Sequence, residues 1–273
     1  MGERLAIHLT VNGAKVILTG TDLDELERVQ RLCILAWMKA VDWEIMKACL
    51  EGLTRLDRVM VLPLDVRDDF ILPDAAREAR SMLSRPINML FNCAGVSTTE
   101  RRDIVEGPSR GNNSSMDVDL EMMEANLWGA VGLTKAVLPS MLDEEEGHIV
   151  VIGGENSLLA PEGQSADVAS RHALRGYFDS LRAEVARDHI KVTVAHPGPA
   201  IDPTARQQRG DTGRVGRTAA LDTDVVARRV LAAVARGRKE VVVERRGWFR
   251  LSRIKGRSVA RGLRPFIPRL RRD

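Results

Sequence analysis

Short apolar runs alternate along this chain with longer segments of helical periodicity, and this alternation limits the fold more than any other feature. Each run is rich in β-branched residues and bounded by polar, Gly or Pro residues, which is typical of buried strands. The predicted strands are Lys15–Thr19, Val59–Leu64, Ile87–Phe91, His148–Ile152, Lys191–Ala195 and Glu240–Glu244. Strict alternation with helices predicts an α/β fold, a doubly wound parallel sheet with helices on both faces.

The size and composition of the chain fit one domain of this kind. The predicted helices are Leu23–Leu50, Asp68–Ser84, Leu120–Met141, Ser165–Arg187 and Asp224–Arg236. With 273 residues, of which 44% are hydrophobic and 29% charged, the chain is long enough to bury a full core. We expect a domain over residues 1–244, followed by a separate tail over residues 245–273.

The cysteines and the apolar runs bear on where the protein resides. Its three cysteines are too few and too scattered for a disulfide framework, and none has metal-ligand spacing. The sequence contains neither a signal-peptide pattern nor an apolar stretch of about 18 residues. We therefore expect no metal and an intracellular protein, either cytoplasmic or peripherally attached to a membrane.

The tail differs from the rest of the chain in charge. Residues 245–273 contain eleven Lys/Arg and one Asp, a net charge of +10, so the remainder carries −7 of the total +3. Apolar residues such as Trp248 and Phe249 are interleaved with these cations, a composition suited to an anionic membrane surface. Nucleic acid is a poorer match because the tail has no reader motif and the body is acidic.

A series of motifs points to a known family. They are Asn92–Gly95 after a predicted strand, Asn126, Leu133–Pro139, Ala169–Leu174, Phe178–Arg182 and Pro197-Gly198. In this order and at this spacing, from Gly2 to about Glu244, the chain resembles the classical short-chain dehydrogenase/reductase family. Two segments, Arg238–Val243 and Phe178–Glu184, most resemble the dehydrogenase/reductase member 7 branch.

This resemblance implies a Rossmann-like fold and an oxidoreductase dependent on NAD or NADP, with no preference between them decided. The residues that it implies for the cofactor are Asp65 and Val66 at the adenine, Asn92, Ala94 and Gly95 along the ribose and phosphates, and Pro197 and Gly198 at the nicotinamide. Gly2 would lie near a phosphate.

The beginning of the chain departs from the family pattern. Members open with a strand and a Thr-Gly-x-x-x-Gly-x-Gly turn, whose glycines let the backbone approach the pyrophosphate. Met1–Ala6 matches only the last glycine and the following helix. Thr19-Gly20 is no substitute, because no glycine follows until Gly52 and Asp22–Glu27 would bring carboxylates towards the phosphates. We therefore expect nucleotide binding to be weakened or lost.

The missing first strand also affects stability. It is central in a sheet of order 3-2-1-4-5, so its absence leaves two neighbouring strands unpaired on their inner edges. Burial of four or five Val/Ile side chains contributes on the order of 6–12 kcal/mol, comparable to the ~5–15 kcal/mol stability of a domain. Three alternatives remain: another segment fills the gap, the polypeptide is longer, or the product is poorly stable.

The catalytic positions depart from the family as well. Members use Asn, Ser, Tyr and a Lys four residues after the Tyr; here Asn126 is kept, but Gly154, Asp167 and Arg171 stand at the other three positions. An ionised carboxylate cannot protonate a carbonyl, and Arg does not replace the compact ammonium of Lys. The spacing of Asp167 and Arg171 predicts an exposed ion pair on a helix surface.

Other side chains offer no replacement. Tyr177 is expected to pack in the core, Ser157 to be a loop hydroxyl, and His172 and His196 to be structural, because no Ser/His/Asp constellation stands out. We therefore expect a catalytically inactive family member. The alternatives are an active carbonyl reductase or alcohol dehydrogenase with unfamiliar catalytic groups, and a non-enzymatic scaffold or membrane-surface partner. A homo- or hetero-oligomer would use the helices Leu120–Met141 and Ser165–Arg187.

Overall fold

The computed structural model describes residues 1–41, 58–96, 116–161, 163–201 and 221–244. Its strands are β1 Val16–Gly20, β2 Val59–Pro63, β3 Met89–Asn92, β4 Gly147–Ile152, β5 Ile190–Pro197, β6 Ala200–Ile201, β7 Leu221–Asp222 and β8 Glu240–Val243. Its helices are α1 Gly2–Val11, α2 Leu23–Ala40, α3 Leu72–Leu83, α4 Met116–Met123, α5 Gly129–Asp143, α6 Ser165–Glu184 and α7 Thr223–Ala235. Strands and helices alternate and the paired strands are parallel, which confirms the predicted Rossmann-like α/β fold.

Several helix boundaries differ from the prediction by three residues or more. The helix α3 begins at Leu72 instead of Asp68, because the Asp68 side chain accepts a hydrogen bond from the Phe70 N–H (3.2 Å) and forms a turn before the helix. The predicted helix Leu23–Leu50 is described as far as Ala40, and residues 42–57 lie outside the described part of the chain.

The strands form separate sheets. The strands β3, β4, β5 and β8 make one four-stranded sheet in that order, β1 pairs with β2, and the short strands β6 and β7 pair with each other. In the described ranges β1 has no second neighbour and β3 has none besides β4. Val16, Ile17 and Leu18 in β1 are only half-buried, whereas Ile149 and Val150 in β4 have no exposed surface.

The helix α1 links the two larger sheets on one face. Leu5 packs with residues of β4, β5 and α7, while Ala6 packs with residues of α2 and β2. The His8 Nε2 atom lies 2.7 Å from a carboxylate oxygen of Asp224 at the start of α7. One helix thus contributes apolar contacts to both sides of the gap between β1 and β3.

No helix in the described segments is both long and apolar enough to cross a membrane. Cys33 and Cys93 are free thiols. The predicted basic tail, residues 245–273, lies outside the described part of the chain, so its attachment to a membrane surface stays a prediction.

Candidate functional site

A cavity of about 490 Å³ opens at the carboxyl ends of β1, β2 and β3, where open α/β sheets bind their ligands. Thr19 and Gly20 of β1 and Phe91 of β3 all line it, so the cavity lies between the two unpaired strand edges. It is also lined by six of the eight residues predicted to bind the cofactor: Gly2, Asp65, Val66, Asn92, Ala94 and Gly95.

The start of α1 forms one wall of this cavity. Gly2 is the first residue of the helix, and no side chain caps its N-terminal N–H groups. A Cβ atom on Gly2 would lie 3.6 Å from the Cβ atom of Cys93, an ordinary contact. The N-terminus of a helix favours an anion through its free N–H groups and dipole. Gly2 lines the cavity, and its place at a phosphate stays a prediction.

Asp65 and Val66 follow β2 at the opposite wall. The Arg67 side chain donates to Asp65 through Nη2 (2.7 Å) and Nε, and the Arg67 backbone N–H donates to the same carboxylate (3.0 Å). These hydrogen bonds hold the pKa of the Asp65 carboxyl below its ordinary value. Val66 packs closely on α5: a Cβ atom on Gly129 would lie only 2.6 Å from Val66 Cγ2.

The segment after β3 is positioned by buried amides. The Asn92 Nδ2 atom donates to Thr134 Oγ1 (2.9 Å), and the Val96 N–H donates to Asn126 Oδ1 (2.7 Å). A Cβ atom on Gly95 would lie 2.9 Å from the same Asn126 oxygen, so only glycine fits this approach. Asn92 and Gly95 are therefore required by the geometry of the segment itself.

Asn126 lies in a π-helical turn, Glu124–Trp128, between α4 and α5. Such single widened turns occur frequently at functional sites. The Asn126 side chain is 2% exposed, and its Nδ2 atom donates to Ser170 Oγ (3.0 Å) and, more weakly, to Asp167 Oδ1 (3.4 Å). The one family residue kept at the reaction centre thus connects the segment after β3 to α6.

Asp167 stands where the family has tyrosine, and it is buried, with 2% of its surface exposed. The Asn156 Nδ2 atom donates to its Oδ2 atom (2.5 Å), and the Arg171 Nε atom donates to Oδ1 (2.7 Å). The prediction of an exposed ion pair is wrong. Helical spacing indicates that two side chains share a face, but it does not indicate that this face points into the domain.

Arg171 stands where the family has lysine and binds three separate parts of the chain. Besides its bond to Asp167, it donates through Nη1 to the Gly153 carbonyl (3.1 Å) and through Nη2 to the Val96 carbonyl (3.2 Å). The planar guanidinium offers these donors in divergent directions, which a single ammonium cannot do. Arg171 therefore ties α6 to the segments that follow β3 and β4.

Gly154 stands where the family has serine, and its backbone explains the glycine. Its φ of 72° and ψ of 175° lie in a region open essentially to glycine alone. A Cβ atom there would lie 3.4 Å from Arg171 Nη1, an ordinary contact. The backbone conformation, and not crowding by Arg171, thus explains the glycine.

Sequence reasoning missed a buried contact between Ser157 and His196 near this site. Ser157 Oγ lies 2.5 Å from His196 Nδ1, and His196 Nε2 lies 3.0 Å from Glu240 Oε1 without hydrogen-bond geometry. Burial lowers the pKa of the His196 imidazole. Ser157 has no exposed surface, so it cannot act as a nucleophile in this conformation. Tyr177, as expected, packs beside the core, edge-on to Phe178.

Pro197 and Gly198 end β5 away from the cavity. The Gly198 N–H donates to the Val243 carbonyl (2.9 Å), and neither residue lines the cavity. Asn126, Gly154, Asp167 and Arg171 do not line it either. The cavity therefore contains the residues predicted for the adenosine and phosphate end of the family's NAD or NADP, and those predicted for its nicotinamide end lie outside it. In the same ranges no group of acidic, His or Cys side chains could hold a metal.

Comparison with known proteins identifies the family. The model of the short chain dehydrogenase family matches residues 33–212. A dehydrogenase/reductase SDR family protein 7-like from Anopheles gambiae is 34% identical over 254 residues, covering 89% of this chain and 71% of the relative. Dehydrogenase/reductase SDR family member 7B of Danio rerio is 32% identical over 251 residues, covering 89% and 73%.

Solved structures of low sequence identity share the fold. A putative short-chain dehydrogenase from Novosphingobium aromaticivorans has a TM-score of 0.71 at 20% identity, covering 100% of this chain and 85% of that one. A metagenomic short-chain oxidoreductase in complex with NADP has a TM-score of 0.65 at 20% identity, covering 89% and 90%. The chain belongs to the short-chain dehydrogenase/reductase family, in the branch of dehydrogenase/reductase member 7.

Proposed function

We propose that this protein is a member of the short-chain dehydrogenase/reductase family that does not transfer hydride. The observation that carries the proposal is the hydrogen bonding of Asp167, which accepts from Asn156, Asn126 and Arg171 inside the domain. These three groups donate to carboxylate oxygens at the position where the family has a tyrosine hydroxyl. A carboxylate fixed by donors in this way is not placed to transfer a proton to a carbonyl oxygen.

The other catalytic positions support the same conclusion. The Arg171 guanidinium donates to Asp167 and to two backbone carbonyls. It is therefore not free to bind a ribose or to assist a neighbouring acid. Gly154 offers no hydroxyl to a substrate oxygen. Asn126 alone cannot supply the proton, because its amide is already shared between Val96 and α6.

One assay of cofactor oxidation tests both this proposal and its first alternative, an active reductase with unfamiliar catalytic groups. Purified protein with a cooperative thermal melt is mixed with NADH or NADPH and a panel of aldehydes and ketones, and cofactor absorbance is followed. We expect no oxidation above that of a matched sample without protein. Substrate-dependent oxidation that disappears in Asp167→Asn would contradict the proposal.

A second candidate role is binding of a partner, through helices α4 and α5. Trp128, Leu120 and Met116 are exposed at 56%, 52% and 66%, although Leu127 beside Trp128 is buried. Exposed large apolar side chains in one region are typical of an interaction surface, and Trp is enriched at its energetic centre. We propose that this face, named here the Trp128 face, joins two copies of the chain.

A further inference from the structure

We infer that only the adenine half of the family's dinucleotide fits this cavity, because Arg171 closes the route from the cavity to the reaction centre. The inference rests on the proposed non-catalytic role and names the ligand class of the same site.

The cavity offers an adenine nucleotide an apolar surface, a hydrogen-bond acceptor and backbone N–H groups. Leu64, Val66 and Phe91 supply apolar surface for a flat base, and the fixed Asp65 carboxylate supplies an acceptor for an amino or hydroxyl donor. The uncapped start of α1 at Gly2 supplies N–H groups for a phosphate. These features lie between β1, β2 and β3, and none of them recognises a second base.

Arg171 stands at the position of the family's lysine, which binds the nicotinamide ribose. Val96 lines the cavity, whereas Gly153 follows β4 on the side of the reaction centre. The guanidinium donates to both of their carbonyl oxygens, at 3.2 Å and 3.1 Å, and its side chain is only 16% exposed. A nicotinamide ribose would have to displace these bonds and leave the Asp167 carboxylate without its cation.

The test is calorimetric titration of the full chain with ADP and with NADH. Because the nicotinamide half gains no contact, we expect the two dissociation constants to agree within about threefold. Nicotinamide mononucleotide should not bind. A parallel thermal melt shows that the protein is folded.

Substitution of Arg171 tests whether its side chain, and not the cavity itself, excludes the nicotinamide half. In Arg171→Lys the single ammonium cannot reach Asp167, Gly153 and Val96 together, so NADH should gain about tenfold in affinity relative to ADP. The matched control is Arg175→Lys, one turn further along α6 on an exposed ion pair with Glu240, for which the ratio should not change.

Two outcomes would overturn the inference. One is NADH binding to the unmodified protein about tenfold or more tightly than ADP; the other is a cooperative melt with no binding of ADP. Neither outcome contradicts the proposed lack of catalysis. That proposal fails only if bound NADH is oxidised in the presence of a carbonyl substrate.

Discussion

Asp167 and Arg171 depend on each other inside the domain. Asp167 is buried and Arg171 is 16% exposed. Asp167 also accepts from Asn126 and Asn156, and Arg171 donates to the segments that follow β3 and β4. Removal of one member of such a pair leaves the other charged and unmatched, a change that typically costs about 3–5 kcal/mol. An exposed helical pair would contribute only a few tenths of a kcal/mol. The two accounts therefore differ by roughly tenfold in energy.

We expect Asp167→Ala to lower the free energy of unfolding by about 3 kcal/mol, because Arg171 and Asn156 lose their acceptor while buried. Chemical denaturation monitored by far-UV circular dichroism measures the change. The matched control is Asp179→Ala on the same helix, where the carboxylate is 44% exposed. That variant should change stability by less than about 1 kcal/mol. Equal effects in the two variants would contradict the buried network.

At the scale of elements, α1 is the part of the chain that holds the two larger sheets together. Its residues Leu5 and Ala6 belong to different clusters, and its His8 reaches α7. On the opposite face Leu133 packs in two clusters, one with the four-stranded sheet and one beside β2. In the described ranges no hydrogen bonds of a strand ladder connect β1 to β3, so helix packing carries this junction.

We expect Leu5→Ala to destabilise the protein by about 2–5 kcal/mol, because Leu5 is 2% exposed and its loss leaves a cavity under α1. The control is Leu35→Ala on α2, where the side chain is 53% exposed and the change should stay below about 0.5 kcal/mol. Thermal melts at fixed protein concentration compare the two. A Leu5 variant as stable as the Leu35 variant would show that α1 does not join the sheets.

The Trp128 face gives a prediction about assembly. If it joins two copies, Trp128→Glu places a charge in an apolar contact and should weaken self-association by about tenfold or more. Light scattering after size exclusion, over a dilution series, measures the molar mass. Phe70→Glu is the control, because Phe70 is 89% exposed at the start of α3, away from this face in sequence. A monomer in the unsubstituted protein would contradict the proposal.

For the whole molecule, the fold could be predicted because its two central strands, β4 and β5, are largely buried on both faces. Residues 147–151 of β4 and 192–197 of β5 are buried in the structure, and such apolar runs stand out in the sequence. In the described ranges the unpaired edges of β1 and β3 agree with the family's strand order, in which another strand lies between them. Helix ends were harder to predict, because the turn at Asp68 depends on one local hydrogen bond.

The sequence predicts which residues stand at the family's catalytic positions, but it does not predict how those side chains contact one another. Motif spacing identified Asn126, Asp167 and Arg171, but their burial depends on how α6 packs against the segments after β3 and β4. The contact of His196 with Glu240 joins residues on neighbouring strands, β5 and β8, two positions apart in register. Spacing along the chain does not predict such a pair. Ser157, the other partner of His196, comes from a third segment, which lies near His196 only in the folded chain.

The central claim is that no hydride leaves the cofactor in this protein, and transfer of deuterium tests it most directly. Folded protein is incubated with NADH or NADPH that carries deuterium at the transferring carbon, together with a panel of aldehydes and ketones, and the alcohol products are analysed by mass spectrometry. We predict no deuterated alcohol above the level of a sample without protein. Deuterated alcohol that forms in proportion to protein concentration, and not with Asp167→Asn, would contradict the account.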